Sequence, residues 1–294
     1  MPSRSFVVED TLTAIEKHSA TFVVLSPPMV HAIAKALRER PIDTSSVQTI
    51  QIGGDAVTKD VLLRCSALFP QSQVCVVHGM SEGVAAYRWE FFDRPVSEVP
   101  FLGESTPVGY VASGSEVKLW DPVKQRIADR GEAAEMHISS PSIIQHYLYG
   151  RSESSFYEAD SKRWFVTGDI AMMNASGLVY VLGRSKDVIW RAGKAIMPAV
   201  VESSIEKLTG QQACVVGIKH ASLGQQPYAV VAEDLDSELD VITHVQAVFG
   251  PACVLSGVLS LRKIGLSQFP VNATFKIIRQ DVEQALISAL GWTS

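Results

Sequence analysis

The sequence is poor in cysteine, and its cysteines form no pattern. Cys65, Cys75, Cys214 and Cys253 are scattered, without a C-x-x-C pair. Neither a disulfide framework nor a zinc site is therefore expected, and a reducing compartment is. Residues 1–10 also lack the basic segment and apolar run of a secretory signal. These absences together predict a cytoplasmic protein.

Long apolar runs and clusters of positive charge are also missing. No stretch approaches the roughly 18 apolar residues that a membrane-spanning helix needs, so no span is expected. The 26 Lys and Arg are outnumbered by 31 Asp and Glu, and without a basic run nucleic acid is not an expected partner. The 294 residues, 47% of them hydrophobic, are enough for two globular domains.

The order of predicted elements changes twice along the chain. Residues 1–102 have an α/β pattern, with helices at 11–18 and 29–40, strands at 47–52 and 73–77, and a helix between the strands that Thr58 caps. Short strands at 116–120, 134–138 and 178–182, separated by turns, predict a β-rich subdomain over 103–183. Residues 184–294 alternate helices (198–208, 238–249, 279–290) with strands (213–218, 228–232, 258–262). We therefore expect a large domain at 1–183 and a small α+β domain at 184–294.

Two candidate ligand-binding loops follow the two predicted strands of the α/β part. Gly53-Gly54-Asp55-Ala56 could bring backbone close to a flat ligand, although such a glycine pair is more often only a turn. The second loop ends in a hydroxyl and a carboxylate, which suit phosphate oxygens and Mg²⁺. Its alternative interpretation is a capped helix start. The loop consists of His78, Gly79, Met80, Ser81 and Glu82.

Three further motifs follow. Trp164-Phe165-Val166-Thr167-Gly168-Asp169 offers a carboxylate, which accepts hydrogen bonds from adjacent hydroxyls, or is simply a β-turn that ends in Asp. Gly183-Arg184-Ser185-Lys186 contains a guanidinium, whose fork of donors suits an anion. Pro270–Arg279 contains Lys276, which is either a catalytic cation or a basic residue at a helix start.

In this order, the five motifs resemble those of the adenylate-forming, AMP-binding superfamily of acyl-CoA synthetases, 4-coumarate–CoA ligases and luciferases. The resemblance covers nearly the whole chain but only the carboxy-terminal half of a full-length member. It implies part of the large AMP-binding domain, with its α/β layer and β-rich subdomain, followed by the small mobile α+β domain. A Ser/His/Asp hydrolase and a His-based metal site are not favoured, because neither G-x-S-x-G nor H-x-x-x-H occurs.

The resemblance implies a role for each motif. Residues 53–56 would lie along the adenine, 78–82 would bind phosphate with Glu82 on Mg²⁺, and Asp169 and Arg184 would bind the ribose. Ser185 and Lys186 would form the hinge between domains, and Lys276 would be the catalytic lysine of adenylation. The nucleotide-binding set is therefore Gly53, Gly54, Asp55, Ala56, His78, Gly79, Met80, Ser81, Glu82, Asp169, Arg184 and Lys276.

The sequence departs from the family pattern at several positions. His78 replaces an aromatic residue, Ser81 replaces Thr, Asn272 replaces Thr and Phe275 replaces Gly. We expect Phe275 to hinder close entry of the Lys276 loop into a site. The family's Ser/Thr/Gly-rich phosphate loop does not occur in residues 1–46. A separately encoded amino-terminal half is therefore an expected partner.

The implied activity is that of a ligase which activates a carboxylic acid with ATP and Mg²⁺ and transfers the acyl group to a thiol such as coenzyme A. Two alternatives remain open at this point. One is a truncated, inactive relative that serves as a nucleotide-binding or partner module. The other is an adenylation module that loads a carrier protein, which is less favoured because no carrier-like segment is found.

Overall fold

The computed structural model describes residues 6–83, 86–148, 153–272 and 276–291. The chain divides into two compact units, Met1–Ser185 and Lys186–Ser294. The sequence-based boundary, which remains a prediction, lies two residues earlier, between 183 and 184.

The first unit begins with a three-stranded parallel sheet in the order β1-β2-β3. Its strands are β1 (Phe22–Leu25), β2 (Thr49–Gly53) and β3 (Gln73–Val77). Its helices are α1 (Val8–His18), α2 (Pro27–Glu39) and α3 (Lys59–Leu68). Strand β3 and the Thr58 cap, whose hydroxyl accepts from the Val61 amide at 3.4 Å, are confirmed. Strand β1 was not predicted, because only its last residue, Leu25, is buried and the alternation is therefore weak.

An eight-stranded antiparallel sheet completes the first unit. Its order is β4-β5-β11-β10-β8-β6-β7, with β9 paired to β10. The strands are β4 (Tyr87–Arg88), β5 (Gly109–Val111), β6 (Glu116–Asp121), β7 (Arg126–Ile127), β8 (Ala133–Ser139), β9 (Phe156–Ala159), β10 (Lys162–Met173) and β11 (Leu178–Arg184). The β-rich texture expected for this part of the chain is therefore confirmed.

Two local interpretations from the sequence are wrong. Asp169 does not end a β-turn but lies within the 12-residue strand β10, whose register shifts between Val166 and Ile170. Gly168, at φ 70°, absorbs this irregularity. Residues 78–82 do not begin a helix either, because the amides and carbonyls of Met80 and Gly83 pair reciprocally in a tight turn.

The second unit is built around a five-stranded sheet in the order β13-β12-β15-β14, with β16 paired to β15. The strands are β12 (Ile189–Arg191), β13 (Lys194–Ile196), β14 (Ala213–His220), β15 (Gly224–Val231) and β16 (Gly257–Ser260). The helices are α4 (Pro198–Thr209), α5 (Glu238–Phe249) and α6 (Arg279–Ala289). The bounds predicted for α5 are exact, because Ser237 caps its start and Gly250 follows its end.

Alternate residues of β14 enter two separate cores of the second unit. Val215 packs with Ile205 of α4 and Val245 of α5, whereas Val216 packs with Val282 and Leu286 of α6. Because successive strand residues point to opposite faces, both faces of this strand are covered by helices. This explains the nearly continuous apolar run of β14, which is typical of a strand buried on both sides.

Cysteine thiols of both units are inaccessible. Burial raises the pKa of Cys65 and Cys214 to about 12 and that of Cys75 to about 11. These thiols are therefore neutral at physiological pH and pack as small apolar groups. Across the described ranges, no helix has both the length and the apolar character required to cross a membrane.

Candidate functional site

Two of the predicted loops are neighbours at one edge of the parallel sheet. Gly53 ends β2 and pairs in register with Val77, the last residue of β3. A Cβ on Gly53 would overlap the Val77 carbonyl oxygen, so only glycine allows the two strand ends to approach this closely. The loops that begin at Gly54 and His78 therefore leave the sheet side by side at its carboxyl edge, where open α/β sheets bind ligands.

Asp169 is the centre of the site in the first unit. Its side chain is only 6% exposed, and its Oδ1 forms an ion pair with the Arg184 Nε at 3.0 Å. His78 Nε2 lies 3.2 Å from Oδ2 of the same carboxylate. A buried carboxylate needs such partners, because the isolated charge would be costly to desolvate. The structure thus brings together three residues that lie in three separate sequence motifs.

The β10–β11 ladder fixes the position of Asp169. Asp169 and Arg184 are direct partners across the two strands. The Thr167 hydroxyl donates to the Met136 carbonyl at 2.7 Å and accepts from the Asp169 amide at 3.0 Å. Arg184 Nη1 also donates to the Thr167 carbonyl at 2.9 Å. The Thr-Gly-Asp motif is therefore held by its own hydroxyl and by the arginine of the next motif.

Tyr87 supports His78 from the opposite side. The two rings meet edge to face, with centroids 5.4 Å apart. Burial, and then the negative charge of Asp169, raise the pKa of Tyr87 well above its usual value. Tyr87 therefore stays neutral, and its hydroxyl lies 2.8 Å from the Met136 sulfur. Strand β8, which contains Met136, thus contacts both Thr167 and the aromatic neighbour of His78.

Glu82 has a partner that the sequence did not predict. The Tyr147 hydroxyl donates to Glu82 Oε1, and the Ile144 amide donates to the Glu82 carbonyl at 2.8 Å. Burial, the hydrogen bond to Glu82 and the Glu82 charge raise the pKa of Tyr147 to about 12, against the opposing charge of Arg184. Arg184 therefore acts electrostatically on the Tyr147 hydroxyl while it is paired with Asp169.

The donor set at Glu82 fits a divalent cation held jointly with phosphates. Among the described residues, the donor found at this carboxylate is the Tyr147 hydroxyl, on Oε1. No group of three His, Cys, Asp or Glu side chains suited to a metal occurs within those residues. This agrees with Mg²⁺ chemistry, in which one or two carboxylates combine with water and substrate phosphates.

The other predicted loop residues have different environments. The Asp55 carboxylate is exposed and accepts from the Ala56 amide at 2.8 Å. Ser81 is exposed, whereas Met80 packs partly against the core of the β-rich subdomain. Of these residues, Ser81 and Asp55 present polar groups to solvent, and Met80 is mainly a packing residue.

Lys276 lies in the second unit, on a loop closed by Asn272. The Lys276 amide donates to Asn272 Oδ1 at 3.0 Å, and the Asn272 amide donates to the Lys276 carbonyl at 2.9 Å. Asn272, which departs from the family pattern, therefore hydrogen-bonds both the amide and the carbonyl of Lys276. Phe275 lies outside the described residues, and its predicted obstruction stays a prediction. Ser185 and Lys186 fall in a 3-10 turn, Ser185–Asp187, on either side of the division between units.

A buried ion pair anchors the chain just after Lys276. Arg279 donates to both oxygens of Glu202 and, at 2.6 Å, to the Val215 carbonyl. Burial lowers the pKa of Arg279, but the charge of Glu202 outweighs burial and leaves that pKa raised. Glu202 also accepts from the Val215 amide at 2.6 Å. The start of α6 is thereby tied to both α4 and β14.

Tyr87 and Tyr147 are the site residues that sequence reasoning missed. Tyr147 is separated from Glu82 by 65 residues, and no spacing rule relates the two. The one usable signal was Gly83, because a Cβ there would meet the Ile143 Cδ1 at 2.7 Å and the Ser142 carbonyl at 2.8 Å. A glycine directly after an acidic residue can indicate such a close backbone approach.

The sequence and the fold have clear relatives. The model of the family described as AMP-binding enzyme matches residues 1–148. An acyl–CoA ligase, GME11374, of Pestalotiopsis microspora is 48% identical over 289 residues, which are 98% of this chain and 50% of that protein. The 4-coumarate–CoA ligase-like 2 protein of Arabidopsis thaliana is 27% identical, over 97% of this chain and 49% of its own. The chain thus spans about half the length of the curated relatives it matches.

Solved structures agree on the fold. The anthranilate CoA ligase AuaEII in complex with anthranoyl-AMP has a TM-score of 0.80 at 21% identity, covering 98% of this chain and 55% of that one. ATP-bound MatB from Rhodopseudomonas palustris has a TM-score of 0.78 at 21% identity, covering 95% and 53%. The expected fold, part of an adenylate-forming large domain followed by a small α+β domain, is therefore confirmed, and the chain belongs to the AMP-binding enzyme family.

Proposed function

We propose that this chain provides the ribose-binding and metal-binding part of an acid–thiol ligase that activates a carboxylic acid with ATP. The observation that carries the proposal is the Asp169 carboxylate, which is buried within β10 and paired with Arg184 and His78. A carboxylate only accepts hydrogen bonds, so it suits the two adjacent hydroxyls of a ribose. Arg184, about half exposed, remains accessible to an anion as well.

In the proposed reaction, an oxygen of the substrate carboxylate attacks the α-phosphorus of ATP, and the bond to pyrophosphate breaks. The thiol sulfur then attacks the acyl carbon, loses its proton and releases AMP. Coenzyme A is the proposed thiol, since two of the named relatives are CoA ligases. Arg184 would offset negative charge on the nucleotide phosphates, as preorganised cations do in such transfers, and Lys276 is the proposed catalytic lysine.

Mg²⁺ is the proposed cation, and Glu82 is the residue that would hold it through Oε2. When bound, it would neutralise phosphate charge. The residues of this chain have other tasks: Asp169 binds the ribose, and residues 53–56 border the adenine beside His78. Lys276 lies in the other unit. Its assignment rests on the Lys276-x-x-Arg279 motif and on the hydrogen bond that its amide donates to Asn272 Oδ1.

Calorimetry of AMP binding tests the ribose assignment. Asp169→Ala should weaken binding by about 1–3 kcal/mol, because two hydroxyls and Arg184 lose their acceptor. Asp129→Ala is the matched control, since it removes an exposed carboxylate of the first unit that pairs only with Arg126. Equal AMP affinity in the wild type and in Asp169→Ala would overturn the assignment.

Pyrophosphate exchange tests the ligase activity against the nucleotide-binding alternative. Because the chain spans about half of its relatives, the assay needs two arms: the chain alone, and the chain with the amino-terminal half of a relative. We expect exchange with aryl or fatty carboxylates in the second arm and its loss in Lys276→Ala. AMP binding without exchange in either arm would support a nucleotide-binding module instead.

A further inference from the structure

We propose that Tyr147 is a positioning residue for the metal ligand. Its hydroxyl orients the Glu82 carboxylate so that Oε2 stays available to the divalent cation that accompanies the nucleotide. The proposal rests on the proposed function, because Glu82 acts as a metal ligand only there. It adds a residue that none of the five sequence motifs contains.

The hydroxyl is not needed to hold the loop itself. The Ile144 amide donates to the Glu82 carbonyl at 2.8 Å, and Gly83 packs against Ile143 and Ser142. These backbone contacts fix the main chain at Glu82 whether or not the tyrosine hydroxyl is present. The hydrogen bond from Tyr147 therefore acts on the carboxylate group and not on the fold of the loop.

The ring of Tyr147 is held independently of Glu82. It packs on Phe156 with centroids 5.7 Å apart, and Phe156 packs on Phe165 at 5.0 Å. Phe165 lies in β10, the strand that contains Thr167 and Asp169. The phenol is therefore held in place relative to the ribose-binding strand. Its hydrogen bond orients the more flexible side chain of Glu82. A preordered ligand binds more tightly because less side-chain freedom is lost on binding.

The chemistry of a phenol suits this role. A phenol has one hydroxyl proton to donate and, with an ordinary pKa of about 10, carries no charge near neutral pH. It can therefore donate to Oε1 without adding negative charge next to a phosphate site. A neutral donor occupies one oxygen only, whereas an Arg or Lys at this place could pair with both and compete with the metal.

Mn²⁺ titration followed by electron paramagnetic resonance tests the proposal, with the intact chain and saturating ATP. Tyr147→Phe keeps the ring and removes the donor, so Mn²⁺ affinity should fall about three- to tenfold, the range of one ordinary hydrogen bond. AMP affinity in the presence of EDTA should not change. Glu82→Gln should lose most of the Mn²⁺ binding, and adding Tyr147→Phe to it should have no further effect.

Tyr157→Phe is the matched control, because it removes a tyrosine hydroxyl of the same unit that lies 2.7 Å from His137 Nδ1. It should bind Mn²⁺ as the wild type does. Unchanged Mn²⁺ affinity in Tyr147→Phe, or an equal loss of AMP affinity in EDTA, would overturn the positioning role. Wild-type protein that binds Mn²⁺ and ATP no better than Glu82→Gln does would instead overturn the proposed function, and this inference with it.

Discussion

The two units differ in how completely their sheets are covered. In the second unit, neighbouring residues of β14 enter two cores, one beneath α4 and α5 and the other beneath α6. In the first unit, β1 is an edge strand on which Phe22 and Val24 are 52% and 59% exposed. The exposed apolar side chains of β1 thus lie along an open edge of the sheet in the first unit. The second unit also has exposed apolar side chains, among them Trp190 and Leu239, but its strand β14 is covered on both faces.

The ion pairs of the two units also differ in how open they are to solvent. In the second unit, the charged side chains of Glu202 and Arg279 pair with each other. They also hydrogen-bond the amide and the carbonyl of Val215. Buried charge in the first unit is the Asp169 group, whose partner Arg184 is half exposed. An ion pair that is shielded from solvent stabilises a fold, whereas an ion pair that is open to solvent can exchange a partner for a ligand. The predictions below test this contrast.

The largest effect is expected at the pair of Glu202 and Arg279. Arg279→Met leaves the mostly buried Glu202 without its cation. Loss of one partner of a fully buried pair typically costs about 3–5 kcal/mol, and we expect a loss toward the lower end because the Arg279 side chain is 26% exposed. Denaturant unfolding of the chain, followed by far-UV circular dichroism, should show this loss. Arg262→Met is the matched control, because its pair with Asp234 is exposed and should contribute little. Equal effects of the two variants would remove the contrast between the units.

The next effect is expected where the two strand ends meet in the first unit. Gly53→Ala forces a Cβ against the Val77 carbonyl, and such overpacking typically costs about 1–3 kcal/mol. Gly217→Ala is the counterpart in the second unit, where a Cβ would meet only the Ile189 side chain at 2.9 Å and the movable Gln225 amide at 3.0 Å. Chemical denaturation should show a smaller loss for Gly217→Ala. The reverse order would contradict the interpretation of Gly53 as a close approach of two backbones.

These positions also show how far the sequence could predict the molecule. Strand β3 and helix α5 were predicted exactly, because a buried apolar run and a Ser237 cap are local signals. Strand β10 was missed, because Gly168 in its middle was interpreted as part of a turn, and only pairing with β8 and β11 makes it a strand. Long-range pairing of this kind has no local signature.

The site residues likewise divide into those with a local sequence signal and those without one. Asp169, Arg184 and His78 were each found through motifs, and their mutual contacts follow from the register of β10 with β11 and from the edge of the parallel sheet. Tyr147 was not found, because it contacts Glu82 through a fold-dependent turn across 65 residues. Motifs identify the residues that touch a ligand, and the structure is needed for the residues that orient them.

A moderate effect of pH is expected in the first unit, where burial lowers the pKa of His31 below its usual 6.5. Burial also lowers the pKa of His137 below its usual 6.5, although Glu135 opposes the shift. The unfolded chain then binds more protons than the folded chain, so the free energy of unfolding falls as pH drops below about 6.5. Unfolding between pH 7 and pH 5 should show this slope. His137→Gln should make the slope shallower, and His31→Gln combined with His137→Gln should flatten it.

The smallest effect on stability is expected at β1, although it bears most directly on the comparison. Val24→Lys replaces an exposed apolar side chain on an edge strand, so the free energy of unfolding should change by no more than about 0.5 kcal/mol. Self-association should decrease, because a lysine on an edge strand opposes pairing with another chain. Analytical ultracentrifugation over a concentration series measures this. Leu239→Lys, at an exposed leucine of α5, is the control and should not alter association. If Leu239→Lys reduced self-association and Val24→Lys did not, the surface that mediates self-association would lie on the second unit. The open edge of β1 would then not be the surface through which two chains associate.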